Sequence, residues 1–152
     1  MALRTWDRAR LAASLIGLAI AAYLSILHYD TAIPLVCSTS GTVNCERVLS
    51  SPEASWQGIP VALWGVGWFT VAAILAVLSL ARRGAPEPSW LRGAGLGWTV
   101  LGTASVVWFL YTELVVIGSI CAWCTVVHVL IIGLFAIQVV TDAARAHTSQ
   151  DR

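Results

Sequence analysis

The sequence contains no lysine and few charged side chains of any kind. Only 11% of its 152 residues are charged, whereas a soluble globular domain typically carries about 25%. The formal net charge is +1 and the arginines are scattered, so there is no basic patch of the kind that binds nucleic acid. Because 58% of the residues are hydrophobic, the composition predicts a chain that is solvated mainly by lipid.

The sequence also shows no internal repeat and no low-complexity segment. The alternate glycines at 93–97 resemble part of a dinucleotide-binding fingerprint, but no strand precedes them and the last glycine of that motif is missing. Small residues more often allow membrane helices to approach closely, and Gly17 and Ala21 fit the same interpretation. We interpret Trp64 and Trp68, which are four residues apart, as packing residues rather than a cofactor site.

Four segments are apolar and long enough to cross a hydrocarbon core, which takes roughly 20 helical residues. They run over about Leu11–Tyr29, Ile59–Ala81, Ala94–Gly118 and Ile120–Val140. The first follows three arginines, as a signal peptide does, but it exceeds the signal core of about 7–15 residues, and a signal is the less favoured alternative. The sequence therefore predicts an all-α membrane protein, a four-transmembrane-helix bundle that forms a single integral membrane domain over 1–152.

The arginine positions predict how the bundle is oriented. Arginines cluster at the N-terminus and in the second loop (82–93), as Arg4, Arg8, Arg10, Arg82, Arg83 and Arg92. The first loop (30–58) carries only Arg47, so the positive-inside rule places both termini and the second loop in the cytoplasm. All four cysteines, Cys37, Cys45, Cys121 and Cys124, then lie on the outer face of the cell membrane, where disulfides persist.

The outer loop shows signals of local structure. Asn44 is a plausible N-cap, and Glu46 lies in the first turn of a short helix that we expect to end near Ser51–Pro52. Pro60 is expected to open the second span at its first turn, where a missing N–H group costs nothing.

The sequence Cys-Ala-Trp-Cys at 121–124 is a CxxC motif at the outer start of the last span. With Ser119 as the cap, Cys121 is expected in the first helical turn, where unpaired N–H groups and the helix dipole lower a thiol pKa. Cys124 lies three residues on, about 4.5 Å further along the axis. We expect Cys121 to be reachable from the aqueous side and Cys124 to face the lipid-soluble side.

Cys37 and Cys45 provide a second pair of thiols, which can exchange with the CxxC pair through mixed disulfides. This pattern predicts a thiol–disulfide oxidoreductase in which the loop pair accepts electrons and the CxxC pair delivers them into the bilayer. Two alternatives stay open. All four cysteines could bind zinc, or the protein could be a non-catalytic membrane protein with structural disulfides.

Two ionisable residues fall within the predicted spans, where such groups are costly and usually functional. His128 comes four residues after Cys124 and therefore shares a helical face with it. A neutral imidazole there can donate a hydrogen bond to a quinone carbonyl. It could equally bond a neighbouring helix. Glu113 could be protonated, paired with His128 or directed towards the interface, and the sequence does not choose between these.

Several of these residues occur in one recognisable order. Tyr23-x-Ser25-x-x-His28, Cys37, Cys45, Ser51, Gly58-Ile59-Pro60 and Cys121-x-x-Cys124 resemble the vitamin K epoxide reductase family, specifically its bacterial homologues. The resemblance covers about Leu15 to Val140. The other quinone-coupled disulfide enzymes with four spans carry their CxxC motif early in the chain, so the order here argues against them.

The resemblance implies a helical bundle around a quinone pocket. Cys121 and Cys124 match the active-site pair, with Cys124 next to the quinone, and Cys37 and Cys45 match the pair that shuttles electrons. Ser51 matches a serine or threonine near the pocket.

At His128 the vertebrate enzymes have a tyrosine that hydrogen-bonds the substrate, and their asparagine early in the second span has no counterpart here. Both departures favour simple quinone reduction over epoxide reduction. Many bacterial members carry a fused thioredoxin-like domain, for which we expect no counterpart in this chain. We therefore expect a separate thioredoxin-fold (DsbA-like) protein as the electron donor, a quinone of the menaquinone or ubiquinone type as the acceptor, and no bound metal. The reaction would support disulfide formation outside the cytoplasm.

Overall fold

A computed structural model describes residues 2–30, 33, 37, 41–82 and 87–150. In chain order the helices and strands are α1 (Ala2–Tyr29), α2 (Cys45–Leu49), β1 (Ser55–Trp56), β2 (Ile59–Pro60), α3 (Val61–Ala81), α4 (Ser89–Tyr111) and α5 (Ala122–Gln150). The four long helices contain segments that are long and apolar enough to cross a membrane, over Arg4–Tyr29, Val61–Ala81, Ser89–Ile117 and Ala122–Ala146. The predicted four-helix membrane bundle is therefore confirmed.

The long helices extend beyond most of the predicted spans. α1 begins before Leu11, α4 begins at Ser89 inside the predicted loop of residues 82–93, and α5 continues past Val140. Residues 83–86 of that loop lie outside the described residues. The hydrophobic runs alone could not predict these extensions, because the added turns carry polar residues that the bundle buries.

A buried network of charged side chains explains the extensions at the end of the bundle remote from the cysteines. Asp7 lies 3.5 Å from Arg10 and 3.2 Å from Arg145, and Arg145 also pairs with Glu87 and Asp142. Asp7 and Arg10 are each 5% exposed. Buried charges are tolerated when they are paired, so the helices can continue into polar sequence here.

Close packing of α1 on α3 and α5, and of α4 on α5, holds the bundle together, whereas the packing of α3 on α4 is less extensive than any of these. The core consists of Ala21, Phe69, Val106, Ile131 and Leu134. A Cβ atom at Gly17 would lie 2.2 Å from the Phe69 ring. The interpretation of Gly17 as a residue that lets two helices approach is therefore confirmed.

The loop after α1 contains the predicted short helix, but α2 ends at Leu49 and not near Ser51–Pro52. Asn44 caps α2, because its side-chain oxygen accepts a 2.9 Å hydrogen bond from the Arg47 N–H. Sequence reasoning missed the hairpin that follows, in which Gln57 and Gly58 both have positive φ, at 54° and 78°. Such a two-residue turn suits a tight antiparallel hairpin. As a result α3 begins at Val61 instead of Ile59, and Pro60 lies just before its first turn.

Candidate active site

The connection between α4 and α5 begins with a π-helical turn over Thr112–Ile117. The turn ends at Gly118, whose φ of 66° is a conformation that favours glycine. The backbone carbonyl of Glu113 accepts hydrogen bonds from the N–H groups of Gly118 and Ser119. This geometry reverses the chain and directs it towards the loop between α1 and α3.

The reversed chain is joined to the loop through its backbone. Ile120 forms a parallel bridge with Val43, in which Ile120 N donates to Thr42 O at 2.9 Å and Asn44 N donates to Ile120 O at 3.0 Å. Cys45 comes two residues after Val43 on one segment of this bridge, and Cys121 comes directly after Ile120 on the other. The two segments that carry the cysteine pairs are therefore held together by main-chain hydrogen bonds.

The structure brings all four predicted cysteines to this place. Cys37 and Cys45 form a disulfide with their Cα atoms 6.2 Å apart, whereas Cys121 and Cys124 are free thiols. Cys45 and Cys121 are both fully buried and belong to one apolar cluster, and Cys37 and Cys124 pack against it. Because the disulfide occupies both loop sulfurs, these four cysteines do not form a zinc site in this state. Among the described residues no group of three or more side chains is placed to hold a metal ion.

The start of α5 differs from the prediction that Ser119 caps it. The helix begins at Ala122, and the Cys121 Sγ atom accepts a 3.2 Å hydrogen bond from the Cys124 N–H. Cys121 is thus the capping residue itself. The hydrogen bond with the Cys124 thiol lowers the pKa of Cys121, although burial opposes this. The Cys121 pKa is thus shifted in the predicted direction, but the main cause is the neighbouring thiol.

The expectation that Cys121 is reachable from the aqueous side is wrong. Its side chain is 0% exposed, packed against Cys45 and Val48 of the loop helix. Cys37 is half-buried, as is Cys124. The sequence could not reveal the burial of Cys121, because this burial depends on α2 lying over the start of α5.

Cys124 lines a cavity of about 1130 Å³ whose wall is formed by residues of all four long helices. Most of its wall is aliphatic or aromatic. His128 and Ser51, the predicted ligand-binding residues, line it too, and the Phe109 ring is parallel to the His128 ring at 6.4 Å. Trp64 and Trp68 also face the cavity. The interpretation of those two tryptophans as packing residues alone is therefore incomplete.

A few polar atoms of the cavity wall are buried without a hydrogen-bond partner in the described part of the chain. These atoms are the Nδ1 of His128, the Oε2 of Glu113 and the Nε1 of Trp68. The Ser51 hydroxyl, in contrast, donates to the Val48 carbonyl at 2.8 Å. Unpartnered buried polar atoms are costly, so they mark positions where a ligand's polar groups would be stabilised.

Glu113 is the site residue whose contacts the sequence left undecided. It is 4% exposed, and its carboxyl group interacts with the Cys121 N–H and with the Cys124 thiol. This burial excludes the outward-directed arrangement. No sequence signal pointed to the contact with the CxxC pair, because the π-helical turn creates it.

Two of the α1 residues that suggested the family resemblance, Tyr23 and His28, lie next to this site, whereas Ser25 bonds within its own helix. Tyr23 packs edge-to-face on Trp123 at 5.7 Å, Ser25 donates to the Ala21 carbonyl, and His28 lines the cavity. A comparison with protein-family models matches residues 8–139 to the Vitamin K epoxide reductase family. The match spans every cysteine and most of each long helix. The chain therefore belongs to the vitamin K epoxide reductase family of membrane thiol oxidoreductases.

Proposed function

We propose that this protein oxidises a separate thioredoxin-fold protein outside the cytoplasm and reduces a membrane quinone, thereby supporting disulfide formation. The observation that carries the proposal is the position of the two cysteine pairs. The loop disulfide packs on the buried Cys121, and Cys124 lines a large apolar cavity. Electrons can therefore enter at one side of the cysteine cluster and leave at the other.

The exposure of each sulfur suggests the order of exchange. A partner's thiolate attacks the half-buried Cys37, and the partner's second thiol resolves the mixed disulfide, which leaves Cys37 and Cys45 reduced. The buried Cys45 thiolate then attacks Cys121 of an oxidised Cys121–Cys124 pair, and Cys124 leaves as a thiolate. Finally Cys37 attacks Cys45, which restores the loop disulfide and leaves the CxxC pair reduced. This final arrangement is the one in the structure.

The cavity fits a quinone by its shape and chemistry. A quinone, when bound, accepts two electrons and two protons from the dithiol. Its flat ring suits an aromatic wall, and its carbonyl oxygens suit the Nε1–H group of Trp68 and the Nδ1 atom of His128 in the tautomer that carries a proton there, since neither atom has a hydrogen-bond partner among the described residues. The cavity is bordered by exposed apolar side chains of α3 and α4, among them Trp64, Leu101 and Trp108. These positions would let a long apolar tail extend into lipid.

The proposed orientation places the cysteines on the outer face and both termini in the cytoplasm. It rests on the arginine asymmetry of the sequence. The buried charge network of Asp7, Arg10 and Arg145 lies at the end of the bundle remote from the cysteines. That end would therefore face the cytoplasm.

The proposal can be tested with purified protein in lipid nanodiscs, by following quinone absorbance. We expect a reduced thioredoxin-fold protein to drive quinone reduction with the wild type. A Cys37→Ser/Cys45→Ser variant should lose this activity but retain reduction driven by dithiothreitol, which can reach Cys124 through the cavity. A Cys124→Ser variant should lose both.

The non-catalytic alternative predicts a different result. Structural disulfides would resist reduction by the thiol partner, and the wild type would then reduce no quinone with either reductant. Equal loss of both activities in the loop double variant would show that the proposed order of exchange is wrong.

A further inference from the structure

The carboxyl group of Glu113 takes no part in the electron path described above, yet it lies at the centre of the site. It is 4% exposed and interacts with the Cys121 N–H and the Cys124 thiol. Its Oε2 atom has no hydrogen-bond partner among the described residues, and the side chain lines the same cavity as Cys124 and His128. A carboxyl group in this position can receive a proton from one side and release it on the other.

A purely structural role as half of an ion pair does not account for Glu113. The ion pairs between described residues lie at the opposite end of the bundle, around Arg145, and none includes Glu113. A buried carboxyl group without a cation is expensive within a membrane-spanning segment and is usually functional there.

The backbone around Glu113 fixes the position of its side chain. It lies in the π-helical turn Thr112–Ile117, and its carbonyl oxygen accepts hydrogen bonds from Gly118 and Ser119. Single π-helical turns occur frequently at functional sites. The carboxyl group is thus held against the CxxC pair by main-chain geometry.

We propose that Glu113 is the proton carrier between the CxxC dithiol and the quinone. This inference rests on the proposed function. Oxidation of the dithiol forms the Cys121–Cys124 bond and releases two electrons and two protons, all of which reach the quinone to give the quinol. The electrons leave through the Cys124 sulfur. The protons need a separate acceptor, because a thiol must lose its proton before its sulfur can donate an electron pair.

The hydrogen bonds of the site supply a route for both protons. The Cys124 thiol lies between the Cys121 sulfur and the Glu113 carboxylate, and interacts with each. A proton passes from Cys124 to Glu113 and on to a quinone oxygen, while the Cys121 proton replaces it on Cys124. The second proton follows the same route. Both sulfurs are then deprotonated, and the Cys121–Cys124 bond forms as an electron pair leaves the Cys124 sulfur for the quinone, which with the two protons gives the quinol. Glu113 ends as the carboxylate with which it began.

The variant Glu113→Gln separates proton transfer from a structural role, because the amide oxygen can still accept from the Cys121 N–H but cannot carry a proton. We expect single-turnover quinol formation by the pre-reduced variant to slow roughly 100-fold or more, as for loss of a general acid–base group. Disulfide exchange between Cys45 and Cys121, followed by mass spectrometry, should stay within about twofold of wild type. Quinone affinity, measured by tryptophan fluorescence, should also persist. A matched control is Glu46→Gln, an exposed carboxyl group on α2, which should leave every reading unchanged.

A second measurement does not depend on how well the variant folds. In wild type labelled with ¹³C-glutamate, infrared difference spectra between the reduced and oxidised dithiol should show a glutamate carboxylate band that shifts, because disulfide formation removes the Cys124 thiol that interacts with the Glu113 carboxylate. No shifted glutamate band would overturn the inference, as would quinol formation by Glu113→Gln within about threefold of wild type, far from the loss expected for a proton carrier. If wild type and Glu46→Gln also fail to reduce quinone, the proposed function fails, and not this inference alone.

Discussion

Val43 and Ile120 form a parallel backbone bridge between the loop that joins α1 to α3 and the segment before α5. Its hydrogen bonds, of 2.9 and 3.0 Å, join Ile120 to Thr42 and Asn44. Cys45 and Cys121 come directly after the bridged segments and are both fully buried. Main-chain hydrogen bonds therefore hold the two sulfurs that we propose to exchange in one water-poor cluster, where a partner protein has no direct access to Cys121.

The first prediction concerns the unequal exposure of the loop cysteines. After reduction, a membrane-impermeant maleimide added from outside should label the half-buried Cys37 faster than the buried Cys45. Site-resolved mass spectrometry of spheroplasts measures both rates. Labelling of Cys37 only from the cytoplasmic side would show that the proposed orientation is inverted.

The second prediction concerns the acidity of Cys121. Its pKa is lowered by the hydrogen bond with the Cys124 thiol, so its thiolate should be present at pH values below those of an ordinary cysteine, whose pKa is about 8.5. In the Cys37→Ser/Cys45→Ser variant, the pH dependence of Cys121 alkylation by a small reagent gives the midpoint. Adding Cys124→Ala removes the hydrogen-bond partner and should raise this midpoint. An unchanged midpoint would mean that Cys124 does not stabilise the Cys121 thiolate.

The sequence predicted the parts of this structure that depend on local pattern. The four spans follow from runs of apolar residues, and the cap at Asn44 follows from its side-chain chemistry and the residues after it. The cysteines, His128 and Ser51 came from spacing and family order, and the structure places all of them around one cluster and cavity. Their roles remain predictions.

The features that sequence reasoning missed depend on contacts between distant segments. The burial of Cys121 arises because α2 lies over it, and the charge network that extends the helices joins Asp7 to Arg145, which are 138 residues apart. The contact of Glu113 with the CxxC pair requires a π-helical turn, for which the sequence gives no clear signal. The periodicity of hydrophobic residues along the chain carries no information on such contacts between distant residues.

The third prediction tests the packing of α1 on α3. A Cβ atom at Gly17 would lie 2.2 Å from the Phe69 ring, so Gly17→Ala should lower the free energy of unfolding by about 1–3 kcal/mol, as overpacking does. Titration with sodium dodecyl sulfate, followed by tryptophan fluorescence, measures this loss. Gly97→Ala is the matched control, because nothing lies within 4 Å of a Cβ atom there. Equal stability of the two variants would mean that the Gly17 contact is not needed.

The fourth prediction concerns the unpartnered Nδ1 atom of His128 in the cavity. If this imidazole donates to a quinone carbonyl, His128→Ala should weaken quinone binding by roughly 0.5–1.5 kcal/mol, the value of one neutral hydrogen bond. Fluorescence quenching of the cavity tryptophans measures the affinity, and exchange between the cysteine pairs should continue. His128→Gln keeps a donor and should lose less. An unchanged affinity in His128→Ala would remove His128 from the proposed binding residues.

The last prediction tests which loop cysteine exchanges with the CxxC pair. In a Cys124→Ala variant, Cys121 can still attack the loop disulfide, but no neighbouring thiol in the CxxC motif can release it by intramolecular attack. The released Cys37 could attack Cys45 and reverse this step, so a bulky maleimide that reaches the half-buried Cys37 but not the buried Cys121 is present throughout. The protein should then accumulate a covalent link between Cys121 and Cys45, since these two buried sulfurs share one cluster, with Cys37 alkylated.

Peptide mass spectrometry under non-reducing conditions identifies this link directly. Cys121→Ala is the matched control, because it removes the attacking sulfur and should leave Cys37 bonded to Cys45. The buried backbone bridge at Ile120 keeps the two segments together in both variants, so a difference between them reports on the sulfurs and not on loss of the fold. If Cys121 is instead free in the Cys124→Ala protein, with Cys37 and Cys45 still paired, the proposed exchange does not occur and the loop disulfide is structural.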